Sequence, residues 1–271
     1  MKITFIGLGN MATAMIGGIL GQDAPLAGKN DISGADPSAA AREKATACFG
    51  ISVYADNSAA VSAADIIILA IKPQYAAAVL EEIRDHIPAQ ALILSIMAGK
   101  SMYWIIDTLT KSVNHAAPKI IRAMPNLPAL VGAGMSGVCR NDRVSDTEMA
   151  LALRLLSGFG QAEEIPESLI DAVVGVSGSS PAYVFIFIEA LADAAVAAGM
   201  PRDQALRFAA QAVLGSARTV LETGKHPAEL KDMVCSPGGT TIEAVRALEE
   251  KGFRAAVLAA AHAAVEKSRR L

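Results

Sequence analysis

An apolar strand pattern, Lys2-Ile3-Thr4-Phe5-Ile6, runs straight into Gly7-Leu8-Gly9-Asn10-Met11-Ala12 and then into helical spacing at Met15, Ile16 and Ile19. A chain that begins in this way is constrained to form a strand, a tight turn and a helix packed back on the strand. Gly7 permits the turn, Gly9 lets the backbone approach a pyrophosphate, and the small Ala12, in the third position, lets the helix sit close. The G-x-G-x-x-A spacing is weak evidence by itself. On a first strand it predicts a dinucleotide held by Ile6, Gly7, Leu8, Gly9, Asn10 and Met11.

Residues 31–36 read as a second strand ending in Asp36, about where a ribose-binding carboxylate is expected. Its charge accepts from a 2′-hydroxyl and repels a 2′-phosphate, which favours NADH, although Arg42 about one helical turn later can reach a phosphate. Asp36-Pro37 also suits a helix cap, which is neutral between NADH and NADPH. Residues 51–53 and Asn57 follow, then an unbroken apolar run at 65–71 that fits a parallel strand covered on both faces. It ends at Lys72-Pro73-Gln74, on the carboxyl edge where open sheets bind ligands. The strand-then-loop pattern repeats at 92–96 with Met97-Ala98-Gly99 and at 119–124 with Pro125-Asn126, so these loops are expected on the same crevice. Asn126 is a candidate orienter of the nicotinamide carboxamide and equally a turn residue. Residues 133–139 and 160–165 close the sheet, with a helix at 145–157 between them.

After Pro166 no strand pattern remains. Residues 167–174, 179–198, 202–222, 227–234, 240–249 and 253–270 carry apolar side chains at three- and four-residue spacing, punctuated at Gly199-Met200-Pro201, Gly224 and Gly252. The expected fold class is an α/β Rossmann-type dinucleotide-binding domain over 1–162 followed by an all-α domain over 163–271. Composition agrees, because 52% of the residues are hydrophobic but only 4% aromatic, an alanine-rich balance that suits closely packed helices. Several helices are apolar on more than one face, notably Tyr183-Val184-Phe185-Ile186-Phe187-Ile188 and 208–214. A small helical domain cannot hide that surface alone, so a helix-exchanging homodimer is expected and the second domain is one of dimerisation.

The longest uncharged stretches, 123–139 and 173–188, carry Pro and small polar residues and fall short of the roughly 20 apolar residues of a spanning helix. No membrane segment is expected. The net charge is −3 and the basic residues are scattered, apart from Lys267, Arg269 and Arg270, which argues against nucleic acid as a partner. Cys48, Cys139 and Cys235 are odd in number and unpatterned, as in a reducing compartment. His86, His115, His226 and His262 lack ligand spacing, so no metal is expected. The apolar start from Ile3 to Ile6 is too short for a signal peptide, which leaves the cytoplasm.

Late in the chain, Ser236-Pro237-Gly238-Gly239 breaks any helix arriving from Lys231, and Thr240 or Thr241 can cap a new one through Ile242, Val245 and Leu248. Freed backbone N–H groups, the hydroxyls of Ser236, Thr240 and Thr241, and the positive helix end can converge on one small carboxylate. Taken alone, the segment is also an ordinary helix–loop–helix corner. Yet Lys231-Asp232, Ser236-Pro237-Gly238-Gly239, Thr241 and Glu243-Ala244 resemble the signature of pyrroline-5-carboxylate reductases, which close proline biosynthesis. Ala70-Ile71-Lys72-Pro73, Met124-Pro125-Asn126 and Val176-Ser177-Gly178-Ser179-Ser180-Pro181-Ala182-Tyr183 are similar to other segments of that family, in the same order. Ser180 stands where the family usually has Gly, and Met233 where it often has a polar residue.

The resemblance implies reduction of 1-pyrroline-5-carboxylate to L-proline with NADPH or NADH. It implies dinucleotide contacts from Asn57, Ala70, Ile71, Lys72 and Pro73, beside Asp36 and the loop at Met97 and Ala98. The implied substrate site is Ser236, Gly238, Gly239, Thr240, Thr241 and Glu167, with Thr241 catalytic; Lys231 and Asp232 would fix the loop by ion pairing. Rings of dimers, such as a homodecamer, are implied as well. The chemistry is consistent. β-Hydroxyacid dehydrogenases of the same plan take a proton from an alcohol with a Lys opening the second domain, and this chain has no Lys between Lys119 and Lys225. An imine nitrogen is more basic than a carbonyl oxygen, so Thr241 or a water it holds is donor enough, and most of the rate comes from positioning. Another cyclic imine such as the six-membered homologue, a β-hydroxyacid dehydrogenase relative and a non-enzymatic nucleotide-sensing protein are the alternatives; the last predicts a degraded loop, whereas 236–241 is complete.

Overall fold

Strands without polar alternation must be covered on both faces, and such runs build the sheet. The computed structural model describes residues 1–22, 25–111 and 117–270, and His115 lies outside them. By internal contacts the chain divides into one unit of Met1–Gly178 with Ala264–Leu271 and a second of Ser179–Ala263. The first holds β1 (Ile3–Ile6), α1 (Asn10–Leu20), β2 (Ile32–Ala35), α2 (Ala39–Phe49), β3 (Ser52–Tyr54), α3 (Asn57–Val61), β4 (Ile66–Leu69), α4 (Ala76–Ile83), β5 (Leu92–Ser95), α5 (Met102–Thr110), β6 (Lys119–Met124), β7 (Gly134–Arg140), α6 (Asp146–Leu156), β8 (Gly160–Glu164) and α7 (Ile170–Val173).

The strands form a sheet of order β3-β2-β1-β4-β5-β6-β7-β8, parallel except where β7 runs against β6. Ile66, Ile67, Ile68 and Leu69 are each at most 2% exposed, and each such side chain contributes about 1.5–3 kcal/mol by leaving water. The chain runs outward from β1 through β2 to β3 and then crosses to β4 on the other side of β1, which makes the β1–β4 boundary a topological switch point. Register pairs Ile6 with Ala35 and Leu69, Leu69 with Ser95, and Ser95 with Arg122. The segments that follow these strands therefore leave one carboxyl edge.

α6 shows how local sequence fixes an element. Ser145 Oγ accepts from Glu148 N at 3.3 Å and Glu148 Oε2 accepts from Ser145 N at 2.9 Å, a capping box. Glu148 Oε1 also meets Lys119 Nζ of β6 at 2.7 Å. The Lys119 bond, ahead of the Ser145 bonds, lowers the Glu148 carboxyl from 4.5 to about 2. A carboxyl depressed by folding takes up its proton more readily in the unfolded chain. Its stabilisation is complete above about pH 4.5 and is lost as pH falls toward about 2. The full shift corresponds to about 3 kcal/mol, and with 24% of the side chain exposed we expect about 1–2 kcal/mol. Glu148→Gln keeps the capping box and should remove that part of the acid slope when urea midpoints are followed down in pH; an unchanged slope excludes the ion pair as its source.

The second unit comprises α8 (Ser180–Ala197), α9 (Arg202–Thr223), α10 (Pro227–Val234), α11 (Thr240–Glu250) and most of α12 (Phe253–Ser268). Its buried centre is alanine, with Ala192, Ala205 and Ala209 letting α8 and α9 approach closely, and Ile188, Val196 and Met200 packed around them. Phe187 lies tilted on Phe253 at 5.9 Å, and the Tyr183 hydroxyl donates to the Ala260 carbonyl at 3.4 Å. Much of the apolar surface stays outside: Phe185, Ile186, Phe208 and Leu258 are all more than half exposed.

Two local expectations are corrected. The helix read at 167–174 is a 3₁₀ turn at Glu167–Leu169, then α7, then a π turn at Val174–Gly178 that leads toward α8. By length and composition the run Glu167–Ala197 is long and apolar enough to cross a membrane, with a bend at Ser179. The second correction concerns the cap of α11. It is Gly239, with no side-chain cap, so neither threonine is spent on the helix end.

Candidate active site

Gly7 lies where β1 meets the chain leaving β4. Its φ is +94°, and a Cβ there would stand 2.7 Å from the Ala70 carbonyl oxygen, so only glycine fits. Gly9 differs. Its φ is −72°, and a Cβ would meet nothing within 4 Å, so its missing side chain opens space at the start of α1. α1 has no side-chain cap and no acidic residue in its first turn, which leaves its N–H groups and positive dipole end for an anion. Ala12, 1% exposed, packs that helix against the strand. These features fit the pyrophosphate of a dinucleotide.

Asp36 follows β2 directly, and its carboxylate ties two loops together. Oδ2 accepts from Leu8 N and Oδ1 from Ser38 N, each at 2.9 Å. Arg42 Nη1 donates to the carbonyls of Asp36 and Pro37 at 2.6 and 3.0 Å, so the guanidinium is anchored where the adenosine ribose belongs in folds of this type. Asn57, first residue of α3, donates to Glu82 Oε2 at 2.9 Å. Lys72 precedes a 3₁₀ turn that Pro73 opens, continuing the chain from Ala70 and Ile71. Met97 N donates to the buried Ser95 Oγ at 3.3 Å; the Met97 side chain is 1% exposed, so a ligand would meet its backbone.

Asn126 is drawn inward. Its Nδ2 donates to Ser177 Oγ at 3.0 Å and to the Ser177 carbonyl at 3.3 Å, while its Oδ1 accepts from Met135 N at 2.9 Å. These bonds reach the π turn at Val174–Gly178. Glu167 is likewise engaged: Oε1 accepts from Arg122 Nη1 at 3.0 Å and from Met102 N at 2.8 Å. Arg122 is 7% exposed on β6, and sequence reasoning passed it over, although an arginine between Ile121 and Ala123 in a strand is itself a sign of a buried partner. Beside the pair, burial first and the Glu167 charge second push the Cys139 thiol up to about 12.

In the second unit, Gly239 N donates to the Ser236 carbonyl at 3.0 Å and Gly238 has φ +66°. Pro237 and Gly238 are the residues a type II turn prefers at its centre. The positive φ calls for glycine at Gly238, whereas a Cβ on Gly239 would meet Ser236 Oγ, the end of a side chain that can turn away. Thr240 is exposed and Thr241 half-buried at the first two positions of α11. Lys231 and Asp232 pair with each other at 2.8 Å on α10, and the Asp232 bond raises the Lys231 ammonium.

The first unit is a nucleotide-binding sheet with its glycine turn at the switch point, and the second is a helical unit with an amide- and hydroxyl-rich turn. Together they define a two-part, dinucleotide-dependent oxidoreductase. Residues 167–271 match the family model described as pyrroline-5-carboxylate reductase dimerisation, and residues 2–99 match the one described as NADP oxidoreductase coenzyme F420-dependent. The chain is 52% identical to the pyrroline-5-carboxylate reductase of Escherichia coli K12 over 272 residues, covering all of this chain and 98% of that one. It is 42% identical to that of Methanosarcina acetivorans, covering 100% and 97%. Among solved structures, the reductase of Coxiella burnetii superimposes with a TM-score of 0.87 at 34% identity over 99% and 97% of the two chains. That of Plasmodium falciparum with NADP bound gives 0.87 at 31% over the same shares. The chain belongs to the pyrroline-5-carboxylate reductase family.

Proposed function

We propose that the protein reduces 1-pyrroline-5-carboxylate to L-proline. The observation that carries this reading is the glycine-built turn from Ser236 to Thr241, opening onto a helix whose end no side chain caps, in a chain similar throughout its length to reductases of that substrate. NADH or NADPH, held by Ile6, Gly7, Leu8, Gly9, Asn10, Met11, Asp36, Asn57, Ala70, Ile71, Lys72, Pro73, Met97 and Ala98, supplies the hydride when bound. Ser236, Thr240 and the Gly238 N–H hold the substrate carboxylate, while Gly239, its own N–H closing the turn on the Ser236 carbonyl at 3.0 Å, leaves the first N–H groups of α11 for the same anion. Thr241 donates a hydrogen bond to the nitrogen of the neutral imine, which takes up a proton from solvent through that contact as hydride reaches the adjacent carbon; a nitrogen this basic asks little more of an acid. The rate is carried by the fixed distance between carboxylate and ring.

Apolar residues on the outer faces of α8, α9 and α12 support a homodimer of the 163–271 domain, and rings of dimers are the natural extension. We place the enzyme in the cytoplasm. The test of the activity is oxidation of NADH and NADPH on addition of pyrroline-5-carboxylate, with proline identified as product; no turnover with either cofactor excludes the reading. The charge of Asp36 favours NADH, while Arg42 stands ready for a 2′-phosphate. Asp36→Ser should therefore raise the ratio of NADPH to NADH efficiency by about tenfold. An unmoved ratio removes the charge argument.

A further inference from the structure

Glu167 sits far from its partners in sequence, 65 residues from Met102 and 45 from Arg122, yet one of its oxygens serves both. The chain leaves β8, Ile165 N donates to the Val138 carbonyl at 2.7 Å, and Pro166 turns it so that Glu167 points back at the sheet. Met102 N is a first-turn donor of α5, a group that needs an acceptor and sits at the positive end of a helix. Ser101 Oγ satisfies another, accepting from Trp104 N at 3.1 Å. Arg122, 8% exposed in its side chain, holds the carboxylate from beneath.

These bonds border the loop that joins β5 to α5. At its entry, Ile96 N donates to the Leu69 carbonyl at 3.1 Å and Met97 N to Ser95 Oγ at 3.3 Å. At its exit stands Met102 on Glu167. Between them Gly99 takes a φ of +71°, and the Lys100 ammonium lies 4.7 Å from the Trp104 ring centroid. We propose that Glu167 is a positioning residue, anchored by the buried Arg122, that fixes the far end of the loop carrying Met97 and Ala98 and so sets how the dinucleotide is held. The proposal rests on reading Met97 and Ala98 as dinucleotide contacts. It gives Glu167 an effect on the reaction that does not require it to touch the imino acid.

Trp104 is the only tryptophan of the chain and reports on this loop directly. In the full-length protein, Glu167→Ala should raise the NADPH KM about tenfold and shift the Trp104 emission, with the pyrroline-5-carboxylate KM unchanged. Glu167→Gln keeps an acceptor for Met102 N and should recover part of both. The Arg122→Met/Glu167→Met double variant removes the lone buried charge, so its urea midpoint should return toward wild type while the NADPH KM stays raised. If dinucleotide binding instead recovers together with the midpoint, the pair is only structural and the proposal fails. A rise confined to the imino-acid KM makes Glu167 a substrate ligand and overturns it too. A shifted Trp104 emission with an unchanged NADPH KM overturns it differently, by showing that Met97 and Ala98 do not contact the dinucleotide.

Discussion

Alanine at Gly9 is expected to leave the protein folded and to weaken dinucleotide binding about a hundredfold, whereas alanine at Gly7 is expected to damage the fold itself. The two glycines are two residues apart and do different work. At Gly9 the backbone is extended and a Cβ meets nothing within 4 Å, so the change costs at most about 1 kcal/mol, the price of an unfavourable cap residue. On the proposed dinucleotide site, the same Cβ would occupy the space by which a pyrophosphate reaches the α1 N–H groups. A hundredfold loss is about 2.7 kcal/mol, well within what several charge-assisted bonds supply. At Gly7, φ of +94° costs an alanine about 1–3 kcal/mol, and the clash at 2.7 Å with the Ala70 carbonyl forces β1 and the chain after β4 apart. Urea midpoints and NADPH titration separate the effects. Gly9→Ala binding NADPH like wild type would show that the turn is a strand-to-helix connection and no cradle.

The halves of this molecule were unequally legible. β1, Gly7, Gly9 and α1 could be read because apolar runs and glycines are local signals, and the helices after Gly178 fall within one or two residues of their expected ends, as with Arg202–Thr223. Proline and glycine at Pro201 and Gly224 mark those ends. Bonds across the sheet left no such trace. Glu167 was read from its neighbour Pro166, and nothing periodic connects it to Arg122; Asn126 likewise gave no hint of Ser177 or of the π turn. The cap of α11 was assigned to threonine because threonine is the better cap. The Ser236–Gly239 turn overrides that preference by placing Gly239 in the cap position.

That displacement of the cap bears on the second large effect, the loss of about two orders of magnitude in kcat expected for Thr241→Ala. Had Thr241 Oγ1 been bonded to its own helix, removing it would have cost stability and said little about chemistry. With Gly239 as cap, the hydroxyl is not committed to the helix end, and alanine, a better helix former than threonine, should leave the urea midpoint unchanged or slightly raised. The expected loss lies in kcat, because the bond to the ring nitrogen matters most as the neighbouring carbon accepts hydride and electron density builds on that nitrogen. The KM for pyrroline-5-carboxylate should change little, since the proposed carboxylate site uses Ser236, the Gly238 amide and the first amides of α11 rather than the Thr241 hydroxyl. Thr241→Ser retains the donor and should keep most of the activity. Ser236→Ala should show the opposite pattern, a raised KM with kcat largely kept. If Thr241→Ala turns over like wild type, its donor role is excluded, and protonation must come from solvent or from a group elsewhere on the chain.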